Sequence, residues 1–385
     1  MRGFTRWFGA AAFVALAALV AIPGDAQDPA KPVEKAKARD IDVVLCLDVS
    51  GSMDGLIGSA KNKLWDIVNE LAKIKPAPNL RVALYSYGHD TYDAKAGWVK
   101  KDVDLTGDLD LLYQKLFALT TNGGTEYVTR VTRDAVRDVN WSADKDALKL
   151  VFVCGNEPAS QDPVVKLKEA ADFAISKGVV INSIYCGNPD NPDARDWRQF
   201  ASLCGGRFAA IDQNRSQVAI VTPVDKQLAE LGVKLNETYV CYGKEGKMKA
   251  DNQKAQTQNA LSQNASVAAT RTLSQAGGLY KTGDWDLVDK LKADPKIDIT
   301  KIPEDELSDD MRKLKPEQRV AYVKDMTDKR ESLQKEIITL QKQRQDFINA
   351  ELKRNPNPAA SAFDAAIRDA LREQAAARGI VIPKE

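Results

Sequence analysis

The chain has 385 residues, more than one ordinary hydrophobic core takes up, so two domains or one domain with an extended appendage are expected. The composition, 44% hydrophobic, 28% charged and 7% aromatic, is that of a soluble globular chain short of the large rings that stack on bases, which argues against nucleic-acid binding. Lys and Arg number 55 against 54 Asp and Glu, and His89 is the only histidine, which weakens Ser-His-Asp, Cys-His and His-metal mechanisms from the outset.

Arg2 and Arg6 precede an uncharged Ala/Leu/Val-rich run over residues 7–22, and Gly24-Asp25-Ala26 supplies small residues where a signal peptidase reads. Residues 1–26 are therefore expected to be a cleaved export signal, with a periplasmic or secreted destination. The run falls short of the ~20 apolar residues of a membrane span, so no stable span is expected after cleavage. Cleavage removes two basic residues and one acidic, leaving a formally neutral chain. The five cysteines, Cys46, Cys154, Cys186, Cys204 and Cys241, are too few and too scattered for a disulfide framework. Cys46, Cys154 and Cys186 sit in apolar runs typical of strands, where a buried thiol or one bridge between neighbouring strands are both open.

Residues 27–39, polar with two prolines, read as a flexible lead-in. Residues 41–47 are an almost continuous apolar run, as expected of a strand buried on both faces. Helical spacing follows over 55–74 and ends at Pro76. Residues 80–87 read as a second strand and 97–103 as an edge strand, and two helical stretches flank the loop 120–125. Further strands are expected at 148–154, 179–186 and 207–211, with helices near 164–176 and 194–203. Strand alternating with helix over 40–222 predicts an α/β domain with a doubly wound, mostly parallel sheet, whose ligands bind beyond the carboxyl ends of the strands.

From residue 223 to 315 the chain reads as a helical or irregular connector. Its segment 244–276 is poor in large apolar residues and helical or only loosely ordered, and Trp285 is its best apolar anchor. Residues 316–354 form one long helical pattern with Val323, Met326, Leu333, Ile337, Leu340 and Phe347 at three- and four-residue steps. Arg330 and Arg344 interrupt that seam. A homo-oligomer through a coiled-coil pairing and an amphipathic helix folded back on its own chain are both open. Asn355-Pro356-Asn357-Pro358 breaks the pattern, and 355–385 hold a last Ala-rich helix and tail.

The first strand runs into Asp48-Val49-Ser50-Gly51-Ser52, a carboxylate and two hydroxyls at alternate positions of a tight loop. All-oxygen ligation of this kind suits a hard cation, Mg²⁺ most naturally, with Mn²⁺ or Ca²⁺ as substitutes. The structural alternative is that Ser50 and Ser52 cap the next helix while Asp48 takes its amides. The pattern resembles the metal-ion-dependent adhesion site of the von Willebrand factor type A domain, which opens with DxSxS at the end of its first strand. The apolar strand 41–47, Gly123-Gly124-Thr125 and the strand 150–154 fit that family in order and spacing over residues 40–212.

The resemblance implies metal ligation by Asp48, Ser50, Ser52 and Thr125. It departs at the last ligand loop, where Cys154-Gly155-Asn156-Glu157 puts Gly155 at the position of the family's final Asp. Either Glu157 or Asn156 then reaches in, or the site binds metal more weakly and relies on a partner's carboxylate. Gly124, Asn156 and His89 are expected at the partner-binding rim; His89 is equally well a solvated loop residue. The function implied is a non-catalytic, metal-dependent protein-binding module of the cell envelope, its cation bridging to an acidic residue of a partner protein. One alternative is a structural envelope scaffold with a degenerate metal site, favoured by Gly155. The other is a Mg²⁺-dependent phosphohydrolase, disfavoured because Ser50 stands where a second acid belongs.

Overall fold

In the computed structural model, residues 38–211, 220–355 and 358–383 are described. The export signal expected at 1–26 lies outside them, as do nearly all of the lead-in and residues 212–219. Among the described residues a six-stranded sheet is built from β1 (Asp40–Asp48), β2 (Asn79–Tyr87), β3 (Val99–Thr106), β4 (Leu148–Gly155), β5 (Val180–Tyr185) and β6 (Phe208–Ala210), in the order β3-β2-β1-β4-β5-β6. All neighbours are parallel except β2 and β3. β1 is central and reads as a nearly unbroken apolar run, interrupted by the buried Asp42, because both its faces are covered. Val43, Leu45 and Leu47 enter one core with α1 (Ile57–Leu71) and α2 (Leu109–Ala118). Val44 and Cys46 enter the other, with α3 (Val128–Asp138), α4 (Leu167–Ser176) and α5 (Ala194–Leu203). The sheet order reverses at β1, so the loops after β1 and β4 flank the crevice where such sheets bind ligands. Register brings Asp48 level with Tyr87 and Leu47 level with Cys154, so three strand ends meet there.

The helical half is better ordered than its composition suggests. It comprises α6 (Asp225–Asn236), α7 (Gly246–Gln263), α8 (Ala265–Ala276), α9 (Leu287–Ala293), α10 (Asp309–Arg312), α11 (Pro316–Arg354) and α12 (Pro358–Ala376). Segment 244–276 folds as two helices, α7 and α8, that meet at the extended Asn264, and their buried faces are held by polar contacts. Asn236 Nδ2 donates to Thr257 Oγ1 (2.9 Å), Gln253 Nε2 to the Tyr280 hydroxyl (3.0 Å), and Arg271 Nη2 to Asp110 Oδ1 of α2 (2.6 Å). Gln253, Thr257, Arg271 and Gln275 are all buried, a polar network in place of a Leu/Ile core, in which the Gln253 and Gln275 Oε1 atoms are left without a hydrogen-bond partner. It also ties the helices to the sheet domain, since Asp110 accepts from both Arg271 and Tyr280. α12 returns to the sheet, its Ile367, Leu371 and Ala375 joining the core beneath α1.

Of the two readings of the long helix, the structure takes the fold-back. Val323, Ile337 and Leu340 of α11 are buried against the chain's own helices. The two arginines that break the apolar seam are its anchors. Arg344 Nε donates to Asp225 (2.8 Å), and Arg330 is buried against Asp286, Asp289 and Thr238 with its guanidinium 3.8 Å from the Tyr239 ring centre. Of the seam residues, Val323, Met326, Leu333, Ile337 and Leu340 pack in clusters of the same chain. Pro316 at the first turn and the Lys315 N–H donating to Gln318 Oε1 (3.0 Å) start the helix.

Candidate metal centre at the carboxyl edge of the sheet

After Asp48 the chain turns sharply into a short 3-10 turn at Gly51–Met53, and α1 begins only at Ile57. Neither start is capped by a side chain, so the capping role for Ser50 and Ser52 is not the one they play. The two hydroxyls instead face each other at 2.9 Å, and Ser52 Oγ donates to Asn156 Oδ1 (3.0 Å). The Asn156 amide returns a bond to the Ser52 carbonyl (3.1 Å), stitching the loop after β4 to the DxSxS loop. The 120–125 loop is fixed from the other side: Gly51 N donates to the Gly123 carbonyl (3.0 Å) and Asn122 N to the Val49 carbonyl (3.0 Å). Gly124, at φ +110°, lies so close to the Gly88 carbonyl that a Cβ would stand 1.5 Å from its oxygen. Only glycine fits there, and this contact sets where Thr125 and Glu126 follow. Thr125 is half-buried between them.

Asp48 is 1% exposed. Its Oδ1 accepts the Ser50 N–H (2.8 Å), while Oδ2 is buried with no hydrogen-bond partner. Burial pushes the carboxyl up to about 7, and the charges of Glu126 and Glu157 add to the rise against the lowering by Ser50. Glu126 is the residue the sequence reading missed. It is buried, and a Cβ on Gly88 would touch both its Cγ (3.1 Å) and Asp48 Oδ1 (2.9 Å), which places the two side chains against one hollow. Burial raises its own titration as well, with the neighbouring Glu157 charge contributing. No basic group figures among the influences on Asp48 or Glu126. The signal for Glu126 was in the sequence as an acid next to Thr125, beside a loop short of one acid. Among the described residues no three His, Cys, Asp or Glu side chains converge as ready ligands, so any cation here needs the hydroxyls.

Gly155 is required by packing. A Cβ there would stand 2.5 Å from the Tyr87 hydroxyl and 2.9 Å from Asp48 Oδ2, and that hydroxyl is committed to the Cys154 carbonyl (3.0 Å). Gly155→Asp is accordingly expected to destabilise the chelated protein by ~1–3 kcal/mol through overpacking and to leave metal affinity no better. Thermal unfolding and metal titration of the variant check this; tighter metal binding at an unchanged melting temperature would refute it. Of the two residues expected to compensate, Asn156 joins the hydroxyl loop directly. Glu157 comes near enough to act on Asp48 through charge, its backbone carbonyl held by the Trp197 indole N–H (2.7 Å).

His89 is not a freely solvated side chain. Its Nδ1 is 2.8 Å from Thr91 Oγ1 and its ring stacks on Tyr92 with centres 5.0 Å apart, so it forms a fixed wall of the loop after β2. The rim beside it is acidic: Asp90 accepts from Asn122 Nδ2 (2.8 Å) and Asp54 accepts from Thr121. The residues present fit a divalent cation. They offer an orphaned buried carboxylate oxygen, two facing hydroxyls and two further acids, all oxygen donors with no positive group among the side chains that act on Asp48 and Glu126.

The family model of the von Willebrand factor type A domain matches residues 42–222. Among solved structures, the SpRpn10 VWA domain is 16% identical over 46% of this chain and 89% of that one, with a TM-score of 0.35. Proximal thread matrix protein 1 from the mussel byssus, solved with a zinc-occupied MIDAS motif, is 17% identical over 46% of this chain and 43% of that one, at 0.36. An aerotolerance-related membrane protein from Bacteroides fragilis NCTC 9343 is 17% identical over 47% of this chain and 96% of that one, at 0.32. No curated protein matches the chain.

Proposed function

Because residues 42–222 are a von Willebrand factor type A domain, a metal-dependent protein-interaction fold, we propose that this chain is a non-catalytic binding module whose cation recruits an acidic residue of a partner protein. The observation that carries this reading is Asp48 Oδ2, buried without a partner at the point where the sheet order reverses, with Glu126 and Glu157 beside it. When bound, a divalent cation supplies positive charge to this hollow and an open position for an incoming carboxylate. Asp48, Ser50 and Ser52 would hold it, with Thr125 as the resemblance implies. Glu126 and Glu157 would provide the negative charge that Gly155 does not. Mg²⁺ is the expected occupant, with Mn²⁺ or Ca²⁺ as substitutes. Asn156, Gly124 and His89 shape the rim against which the partner rests.

The scaffold reading remains the second one, because Gly155 removes a fixed carboxylate and because the helical half is bound firmly to the sheet domain through Asp110 and Arg271. The signal-like pattern of residues 1–26 is what supports export, and among the described residues no helix is long and apolar enough to cross a membrane. Titration calorimetry with Mg²⁺, Mn²⁺ and Ca²⁺ on the full chain and on Asp48→Ala tests the metal. Heat is expected for the unaltered chain and none for the variant; absence in both removes the cation. Pull-down from an envelope extract with and without chelator separates the two functions. Partners lost in chelator support the metal bridge, and partners retained support the scaffold.

A further inference from the structure

β4 and β5 are parallel neighbours whose carboxyl ends border the metal centre. Cys154 is the next-to-last residue of β4 and Cys186 follows β5 directly, its N–H donating to the Gly155 carbonyl (2.8 Å). Cys154 pairs in register with Ile184, so Cys154 and Cys186 are diagonal neighbours on one face of the sheet, both in the core beneath α1. Their sulfurs lie 3.1 Å apart, closer than two unbonded sulfurs comfortably pack and about 1 Å beyond a disulfide bond of ~2.05 Å. Both side chains are buried, with residue exposures of 0% and 1%. Cys46 and Cys204 belong to the core on the opposite face and Cys241 to the helical half, and among the described residues no other two sulfurs are in contact.

We propose that Cys154 and Cys186 form a disulfide, which pins the loop carrying Gly155, Asn156 and Glu157 to the end of β5. The oxidant is an external disulfide, either a small-molecule one or that of a thiol oxidoreductase. One cysteine thiolate attacks a sulfur of that disulfide, breaking its S–S bond and releasing one thiol. The second cysteine thiolate then attacks the mixed disulfide, forming the Cys154–Cys186 bond and expelling the second thiol. Two protein thiols are oxidised and one external disulfide becomes two thiols, the two protons ending on the products. Because neither sulfur is reachable in the folded chain, the exchange takes place while the chain folds. The bridge closes a loop that contains α4 and the whole of β5, so it restrains the unfolded chain as well as the site.

The full chain, exported through its own leader or refolded with oxidised glutathione, is denatured in guanidinium with iodoacetamide and no reductant, then digested and weighed. The expected result is alkylation at Cys46, Cys204 and Cys241 only, with residues 150–166 joined to residues 178–195 at a mass about 2 Da below the sum of the two free peptides. After reduction all five cysteines are alkylated. Five alkylated cysteines before reduction, or linkage between any other pair, would overturn the proposal. A second measurement needs no variant: chain refolded with dithiothreitol is expected to melt several degrees below chain refolded with glutathione disulfide. Cys154→Ala/Cys186→Ala is expected to melt alike from both refolding conditions, while Cys46→Ala keeps the difference. Equal melting of the unaltered chain under both conditions contradicts the bridge.

Discussion

Replacing Asp48 by Asn is expected to stabilise the metal-free protein at pH 8 while removing every response to divalent cations. The sign follows from the buried carboxyl. Its pKa in the folded chain is about 7 against an ordinary 3.8, so between those values the folded state holds a proton that the unfolded chain has released. Stability therefore falls as pH rises from about 4 to 7, and the loss is complete above 7, on the order of 4 kcal/mol. An asparagine at 48 keeps an oxygen for the Ser50 N–H and offers an amide to the acidic hollow where Oδ2 has no donor. In chelator the variant should melt well above the unaltered chain at pH 8, at ~2–4 °C per kcal/mol, and alongside it near pH 4. Mg²⁺ should narrow the gap by stabilising the unaltered chain alone, by ~2.7 kcal/mol at a hundredfold excess over its dissociation constant. A variant less stable than the unaltered chain in chelator at pH 8 would show that Asp48 is not held against its charge.

The second large effect is expected at Arg330, remote from that site. Its Nη1 donates to Asp286 Oδ2 (2.6 Å) and Nη2 to the Thr238 carbonyl (2.8 Å), while Asp286 itself is fully buried. Burial keeps the Asp286 carboxyl above its ordinary range even with Arg330 beside it, so the pair holds at a cost that only the partner offsets. Arg330→Met is expected to lose ~3–5 kcal/mol because it strands that carboxylate and removes the stack on Tyr239. Adding Asp286→Asn should recover part of the loss, though not all. Asp286 also accepts the Val240 N–H (2.8 Å) and caps α9 through the Asp289 N–H (3.0 Å), and an amide has only one oxygen to offer. Denaturant unfolding of the single and double variants measures both terms. A double variant no better than the single would assign the loss to the stack and the Thr238 bonds alone.

Neither effect shows in composition, yet much else was legible. The strand at Asp40–Asp48 stood out because a central parallel strand is apolar on both faces, and DxSxS because its ligand spacing is set within one turn of chain. Helices on either side of the loop 120–125 followed from local periodicity, as did the edge strand Val99–Thr106, expected at 97–103. Gly155 was visible as a departure, but its reason was not, since Tyr87 comes from another strand. Glu126 was overlooked because its neighbour to the hollow, Gly88, lies 38 positions away.

The sequence by itself determined the sheet, its order of elements and the Asp-Ser-Ser core of the site, because these rest on contacts between residues close in the chain or on a strict period. Tertiary structure alone decided how the helical half is used. Glutamines and an arginine that read as a loose connector became a buried hydrogen-bonded network around Asp110, and arginines that read as flaws in a seam became its anchors. A buried polar group is stable only when its partner is in place, and those partners lie from about twenty to more than a hundred and sixty residues away, beyond the reach of any local pattern.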